Sequence, residues 1–142
     1  MNIALIAHSN KQELMVQFCI AYCGIFAEHE LCAPSSTAQL ITEATGMQVE
    51  KYMSRSQGGV QQIAARIAYN EIDMVLFMTD PQSPEYIEDM GLIARLCDQY
   101  SVPLATNVAT AEVLVLGLQR GDLAWRDIVN PKKKKKNNEI SE

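Results

Sequence analysis

The sequence predicts a three-layer α/β domain, with a mostly parallel sheet and helices on both faces. Three observations carry this. The chain has 142 residues, of which 48% are hydrophobic and 20% charged. That is the size of one ordinary domain, with apolar content enough for a core, and it excludes low-complexity disorder for most of the chain. Short apolar runs alternate with segments of helical periodicity, the pattern of strands joined by helical crossovers. Finally, polar clusters follow four of the apolar runs: His8, Pro34 to Thr37, Thr79-Asp80 and Thr106-Asn107. In parallel α/β folds ligands sit beyond the carboxyl ends of the strands, so these clusters predict a pocket.

Asn2 to Ala7 is a short apolar run that reads as a buried strand. Leu14, Met15, Phe18, Cys19, Tyr22 and Ile25 then recur at helical spacing, with Ser9 or Asn10 as the expected cap. Glu30 to Ala33 is a second strand. The polar turn Pro34 to Thr37 is expected to cap a helix from about Ala38 to Thr45, which Gly46 stops. Gln48 to Met53 alternates weakly, as a short strand does. Gly58-Gly59 opens a helix over Val60 to Ala68. Ile72 to Met78 is the strongest strand signal, and Asp80-Pro81 ends it. Ile87 to Gln99 reads as helix, Val102 to Thr106 as strand, Thr110 to Leu118 as helix, and Asp122 to Val129 as a short further element.

Charge is unevenly placed. The formal net charge is −5, and Lys132 to Lys136 are all basic. Taking those five from the 12 basic residues, and Glu139 and Glu142 from the 17 acidic ones, leaves 7 against 15, a net of −8 over residues 1–131. An acidic body is a poor match to a phosphate backbone, so no nucleic-acid partner is expected. No run reaches the ~18 apolar residues of a spanning helix, and no secretory signal is visible, so neither membrane association nor export is expected. Cys19, Cys23, Cys32 and Cys97 contain no Cys-x-x-Cys pair and fit free thiols in a reducing cytoplasm. Cys19 and Cys23 stand four apart on a helix; core packing explains them, and a metal site would need two further ligands. No metal or cofactor is expected. The domain is expected over residues 1–130. The tail, 131–142, has no apolar periodicity and reads as a disordered, solubilising segment or as a contact for an acidic partner or anionic surface.

Several segments together resemble methylglyoxal synthase. They are Ile3-Ala-Leu-Ile-Ala-His8, Ala44-Thr-Gly46, Gly58-Gly59 followed by Gln61-Gln62, Asp80-Pro81, and Pro103-Leu-Ala-Thr-Asn-Val-Ala-Thr-Ala111. They run in family order from residue 2 to about residue 128. The resemblance implies a flavodoxin-like α/β domain, usually a homohexamer, that eliminates phosphate from dihydroxyacetone phosphate. The same fold also serves as an effector-binding regulatory domain of carbamoyl-phosphate synthetase.

The elimination needs a carboxylate to take a proton beside a carbonyl, a donor for the enediolate oxygen, and groups that hold a phosphate dianion. The family places its Asp base directly after the Gly-Gly pair, where this chain has Val60. A family His becomes Tyr86, with the Asp three residues later kept as Asp89. The family Lys four residues after the first His is Gln12 here, with Lys11 adjacent but displaced by ~100° on a helix. The family Thr-Gly-Thr-Thr-Gly loop reads Pro34-Ser35-Ser36-Thr37-Ala38, keeping hydroxyls at Ser36 and Thr37. The family Ser-Gly-Pro reads Ser54-Arg55-Ser56.

Candidate ligand-binding residues are therefore His8, Lys11, Ser35, Ser36, Thr37, Ser54, Arg55, Gly58, Asp80, Tyr86, Asp89 and Asn107. Family position puts His8 in the pocket rather than in a local cap. Arg55 either forks onto an anion or points to solvent. Asp80 either closes an Asx turn or faces the pocket. His29 is expected at the surface.

With Val60 at the base position, the leading expectation is a protein that catalyses nothing and binds, senses or sequesters a small phosphorylated or nucleotide-like ligand. The alternative is an active methylglyoxal synthase with a displaced base, Asp89 or Asp80. A further alternative is a structural or interaction module with a fossil pocket.

Overall fold

The computed structural model describes residues 1–129, and the lysine tail lies outside the described residues. Five parallel strands form one sheet in the order β3-β2-β1-β4-β5. They are β1 (Asn2–Ala7), β2 (Glu30–Pro34), β3 (Val49–Tyr52), β4 (Met74–Met78) and β5 (Leu104–Ala105). The helices are α1 (Gln12–Ala21), α2 (Cys23–Phe26), α3 (Ser35–Thr45), α4 (Gly59–Ala68), α5 (Tyr86–Gln99), α6 (Val108–Arg120) and α7 (Trp125–Val129).

The three layers follow from strand alternation. Ile3, Leu5 and Ala7 of β1 pack with Met15 and Phe18 of α1, Ile41 of α3 and Val115 of α6. Ala4 and Ile6 face the other way, onto Val60, Ile63 and Ile67 of α4 and Ile93 of α5. The two central strands are covered on both faces, so β4 is a continuous apolar run, Met-Val-Leu-Phe-Met, buried throughout. Edge strand β3 carries the exposed pair Glu50-Lys51, which explains why its sequence signal was weak.

Some boundaries differ from expectation. The first helix does not take a side-chain cap from Ser9 or Asn10: residues Ser9–Lys11 form a 3-10 turn and α1 begins at Gln12. The turn over Pro34 to Thr37 is already structure, because Pro34 ends β2 and α3 starts at Ser35. The last strand shrinks to Leu104–Ala105, since Val102 and Pro103 serve the turn after α5: the Val102 N–H bonds to Cys97 O at 2.8 Å and Pro103 has none to give. Helix α6 starts two residues early because the Asn107 side chain accepts the Thr110 N–H at 3.0 Å and caps it. Gly46 stops α3 as expected, at φ +75°.

No helix among the described residues is long and apolar enough to cross a membrane. The last described helix, α7, is anchored from inside. Arg126 of α7 is 1% exposed, its Nε lies 3.4 Å from Asp73 Oδ1, and it also donates to the carbonyls of Ser101 and Ile72. Asp73 Oδ2 in turn accepts the Asn2 N–H at 2.8 Å.

Candidate active site

The strand order reverses between β1 and β4, because β1 runs on to β2 on one side and has β4 on the other. The crevice beyond the carboxyl ends of these two strands is where such folds bind ligands. His8 leaves β1 there, 1% exposed. Its backbone N–H bonds to Met78 O at 3.1 Å, tying it to the end of β4.

The ring of His8 is held on both nitrogens. Nδ1 accepts the backbone N–H of Asp80 at 2.8 Å. A nitrogen that accepts carries no proton, so the ring proton sits on Nε2. Nε2 lies 3.2 Å from Asp89 Oδ2 and donates to that carboxylate. Asp89 stands in the first turn of α5 and is 8% exposed. The imidazole rests against Phe77, with ring centroids 5.0 Å apart, and the Tyr86 ring lies 6.5 Å away.

Asp80 thus serves His8 through its backbone. Its own carboxylate accepts the Gln82 N–H at 3.0 Å and closes an Asx turn. Beside it, the Ser83 hydroxyl donates to Glu85 Oε2 at 2.6 Å. That bond, Glu85's own backbone N–H and the Arg55 guanidinium hold the Glu85 carboxyl below the usual range, against some burial.

A second group of side chains converges at the end of β2. Gln12 Nε2 donates to Ser36 Oγ at 2.8 Å and to Thr37 Oγ1 at 3.2 Å. Ser35 contributes its backbone N–H to Met53 O at 3.3 Å. Arg55 Nη2 donates to Ser9 Oγ at 3.0 Å, and Ser54 Oγ lies 3.2 Å from Ser56 Oγ. Gly58 and Gly59 make this loop possible. Gly58 has φ +109°, and a Cβ on Gly59 would fall 2.1 Å from Met53 O.

Of the sequence-predicted residues, His8, Asp80, Tyr86 and Asp89 meet at the β1/β4 crevice; Ser36 and Thr37 are joined through Gln12, and Arg55 is joined to Ser9. Lys11 gives its backbone N–H to His8 O at 2.8 Å. Asn107 spends its amide oxygen on the α6 cap, and the neighbouring Thr106 O accepts both the N–H and the hydroxyl of Thr79, at 3.2 and 3.1 Å. Gln12 was missed as a site residue, because it counted as the loss of a lysine; the signal was its place one helical turn beyond the end of β1. His29, read as a surface residue, is half-buried and bonds the Met1 amine through Nδ1 at 3.1 Å.

Among the described residues, no group of three His, Cys, Asp or Glu side chains is placed to hold a metal. A groove of about 1030 Å³ opens at the opposite end of β2 and β3, lined in part by His29, Glu30, Glu43 and Lys51. It contains none of the candidate ligand-binding residues.

Comparisons with known proteins bear on the family of this chain. The model of the MGS-like domain family matches residues 15–106. A methylglyoxal synthase of Caldicellulosiruptor saccharolyticus is 55% identical over 136 residues, covering 95% of this chain and 96% of the relative. One from a Geobacillus species is 52% identical over 134 residues, covering 94% and 96%. The crystal structure of a methylglyoxal synthase from Elizabethkingia anophelis superposes with a TM-score of 0.72 at 35% identity, covering 80% of this chain and 76% of that one.

These likenesses correct the leading expectation. Identity of 55% over nearly the full length, to a protein named as a synthase, overturns the reading of a protein without catalysis that senses or sequesters a ligand. The expectation of no enzyme, and that of a mere interaction module, fall with it. That reading rested on Val60 occupying the place for a base. Val60 is 2% exposed and belongs to the apolar layer with Ala4, Ile6 and Phe77, while a carboxylate stands elsewhere in the crevice, at His8. By matched domain, by near-full-length identity and by superposed fold, the chain belongs to the methylglyoxal synthase family.

Proposed function

We propose that this chain is a methylglyoxal synthase, a carbon–oxygen lyase that converts dihydroxyacetone phosphate to methylglyoxal and phosphate, with Asp89 as its base. The observation that carries the assignment of the base is the buried pair His8 Nε2–Asp89 Oδ2, 3.2 Å apart at the strand-order reversal. Asp80 is the weaker candidate, since an Asx turn already engages its carboxylate.

The chemistry follows from these groups. Asp89 takes a proton from the hydroxymethyl carbon of the substrate, and the electron pair of that C–H bond forms an enediolate with the neighbouring carbonyl. At rest the Nε2–H of His8 donates to Asp89; as that carboxylate is neutralised by the substrate proton, the same N–H is released to the developing oxyanion. The hydroxyl of the former hydroxymethyl carbon then loses its proton; its O–H electron pair forms the aldehyde C=O, the enediolate double bond shifts to the next carbon, and the carbon–oxygen bond to phosphate breaks, the proton leaving with the phosphate. The enol left behind takes a proton on its methylene carbon and becomes methylglyoxal. Phe77 and the burial of His8 keep water from this corner, which strengthens the donor's effect.

The hydroxyls of Ser36 and Thr37 supply the other end of the substrate. Each accepts a hydrogen bond from Gln12, which leaves the hydroxyl protons to donate to phosphate oxygens. The first-turn N–H groups of α3 add to the same cradle.

The test is direct. Purified protein is given dihydroxyacetone phosphate, and methylglyoxal and phosphate are followed together. Equal release of both is expected, with Asp89→Asn slower by about 10²- to 10⁴-fold. A wild-type protein that releases neither would sink the proposal; one that turns over with Asp89→Asn unimpaired would sink the assignment of the base. We extend the proposal to a homohexamer. The family resemblance supports it, as do the exposed apolar side chains of Val113, Trp125 and Ile128. A monomer in sedimentation velocity would refute it.

A further inference from the structure

A phosphate dianion calls for a cation, and the residue tying Ser36 and Thr37 together is the neutral Gln12. One guanidinium is in reach. Arg55 is half-buried, yet the described residues give it no carboxylate. Three other arginines are paired: Arg66 has Glu50 at 3.2 Å, Arg120 has Asp122 at 2.9 Å and Arg126 has Asp73 at 3.4 Å. Among the described residues, Arg55 donates to a neutral partner, Ser9 Oγ, at 3.0 Å. A guanidinium has five N–H donors, so most remain to be used.

The placement matters as much as the charge. Arg55 follows β3 and Ser9 follows β1, and β2 lies between those strands. To reach Ser9 the side chain must therefore cross the carboxyl end of β2, where Ser36 and Thr37 begin α3. The charge felt by the Glu85 carboxyl, on the turn before α5, includes that of Arg55.

We infer that Arg55 is the cation that holds the substrate's phosphate in this chain, with Ser9 as its resting partner when no anion is bound. The inference rests on the synthase reading for the identity of the substrate, but not for the binding of phosphate itself. Anion arrival exchanges a bond to a neutral hydroxyl for a forked, charge-assisted one.

The experiment measures inorganic phosphate binding by calorimetry, together with KM and kcat for dihydroxyacetone phosphate, in wild type, Arg55→Met, Arg55→Lys and Ser9→Ala. Arg55→Met should weaken phosphate binding and raise KM by about 10- to 100-fold. Arg55→Lys should recover part of that loss, because it restores the charge without the fork. Ser9→Ala should leave phosphate affinity equal or tighter. A folded Arg55→Met protein with phosphate affinity within about twofold of wild type overturns the inference. So does a Ser9→Ala protein that binds phosphate as poorly as Arg55→Met. Wild type that binds phosphate through Arg55 but makes no methylglyoxal would refute the synthase reading and leave this inference standing.

Discussion

At the scale of single residues, His8 shows how little freedom the site leaves. One backbone N–H on Nδ1 sets the tautomer, and the tautomer aims the remaining proton at Asp89. A histidine at a strand end does not by itself reveal this, since the donor comes from a turn 72 positions away. Val60 gives the opposite lesson. Its side chain is buried in the apolar layer with Ala4, Ile6 and Phe77, where a carboxylate would be desolvated. Val60→Asp is therefore expected to lower unfolding free energy by about 1–3 kcal/mol, read from denaturant midpoints. It should not rescue Asp89→Asn. A double variant with restored turnover would show that the base belongs at position 60 after all.

At the scale of elements, the loop between β3 and α4 is governed by its glycines. Gly59 lies where a Cβ would overlap the Met53 carbonyl at 2.1 Å, and both groups are backbone, so neither can swing aside. Gly59 also donates its N–H to Ser54 O at 2.9 Å, which places the segment that carries Arg55. Gly59→Ala is expected to cost about 2–4 kcal/mol and to weaken substrate binding as well, because the displaced loop carries its arginine with it. A melting temperature unchanged within a degree would contradict the close approach. The Gly-Gly pair was legible in the sequence as a helix start, while its steric reason was not. That reason depends on Met53, which the fold brings over the helix start.

At the scale of the whole molecule, burial governs the thiols. Burial pushes Cys19 and Cys97 up to about 12 and Cys32 up to about 11, from an ordinary 9.0. Burial also raises Tyr52 to about 12 from 10.0. In the unfolded chain these groups lose protons from about pH 9 upward, while in the folded protein they keep them. The unfolded state then binds fewer protons, so stability is full below pH 9 and falls as pH rises toward 12. Denaturation midpoints at pH 8 and pH 10.5 should show that fall, and a flat profile would mean that the thiols are reachable by water. At pH 8, a thiol reagent should modify Cys19, Cys32 and Cys97 only at the rate of opening.

The sequence alone determined the α/β architecture and the family, and it named His8, Asp89, Ser36, Thr37 and Arg55. Apolar periodicity and local motifs are properties of neighbouring residues, and they survive without a fold. Its leading reading, a protein without catalysis, rested on Val60 standing where the family has its Asp, and near-full-length identity to a named synthase overturned it. Only the tertiary structure decided which carboxylate stands at the imidazole and that Asp80 acts through its backbone. It also showed that Gln12 ties the two hydroxyls and that Arg55 crosses the end of β2. Those relations join residues 24 to 81 positions apart. They exist only once the parallel sheet has brought the strand ends to one edge, a long-range arrangement that no local pattern encodes.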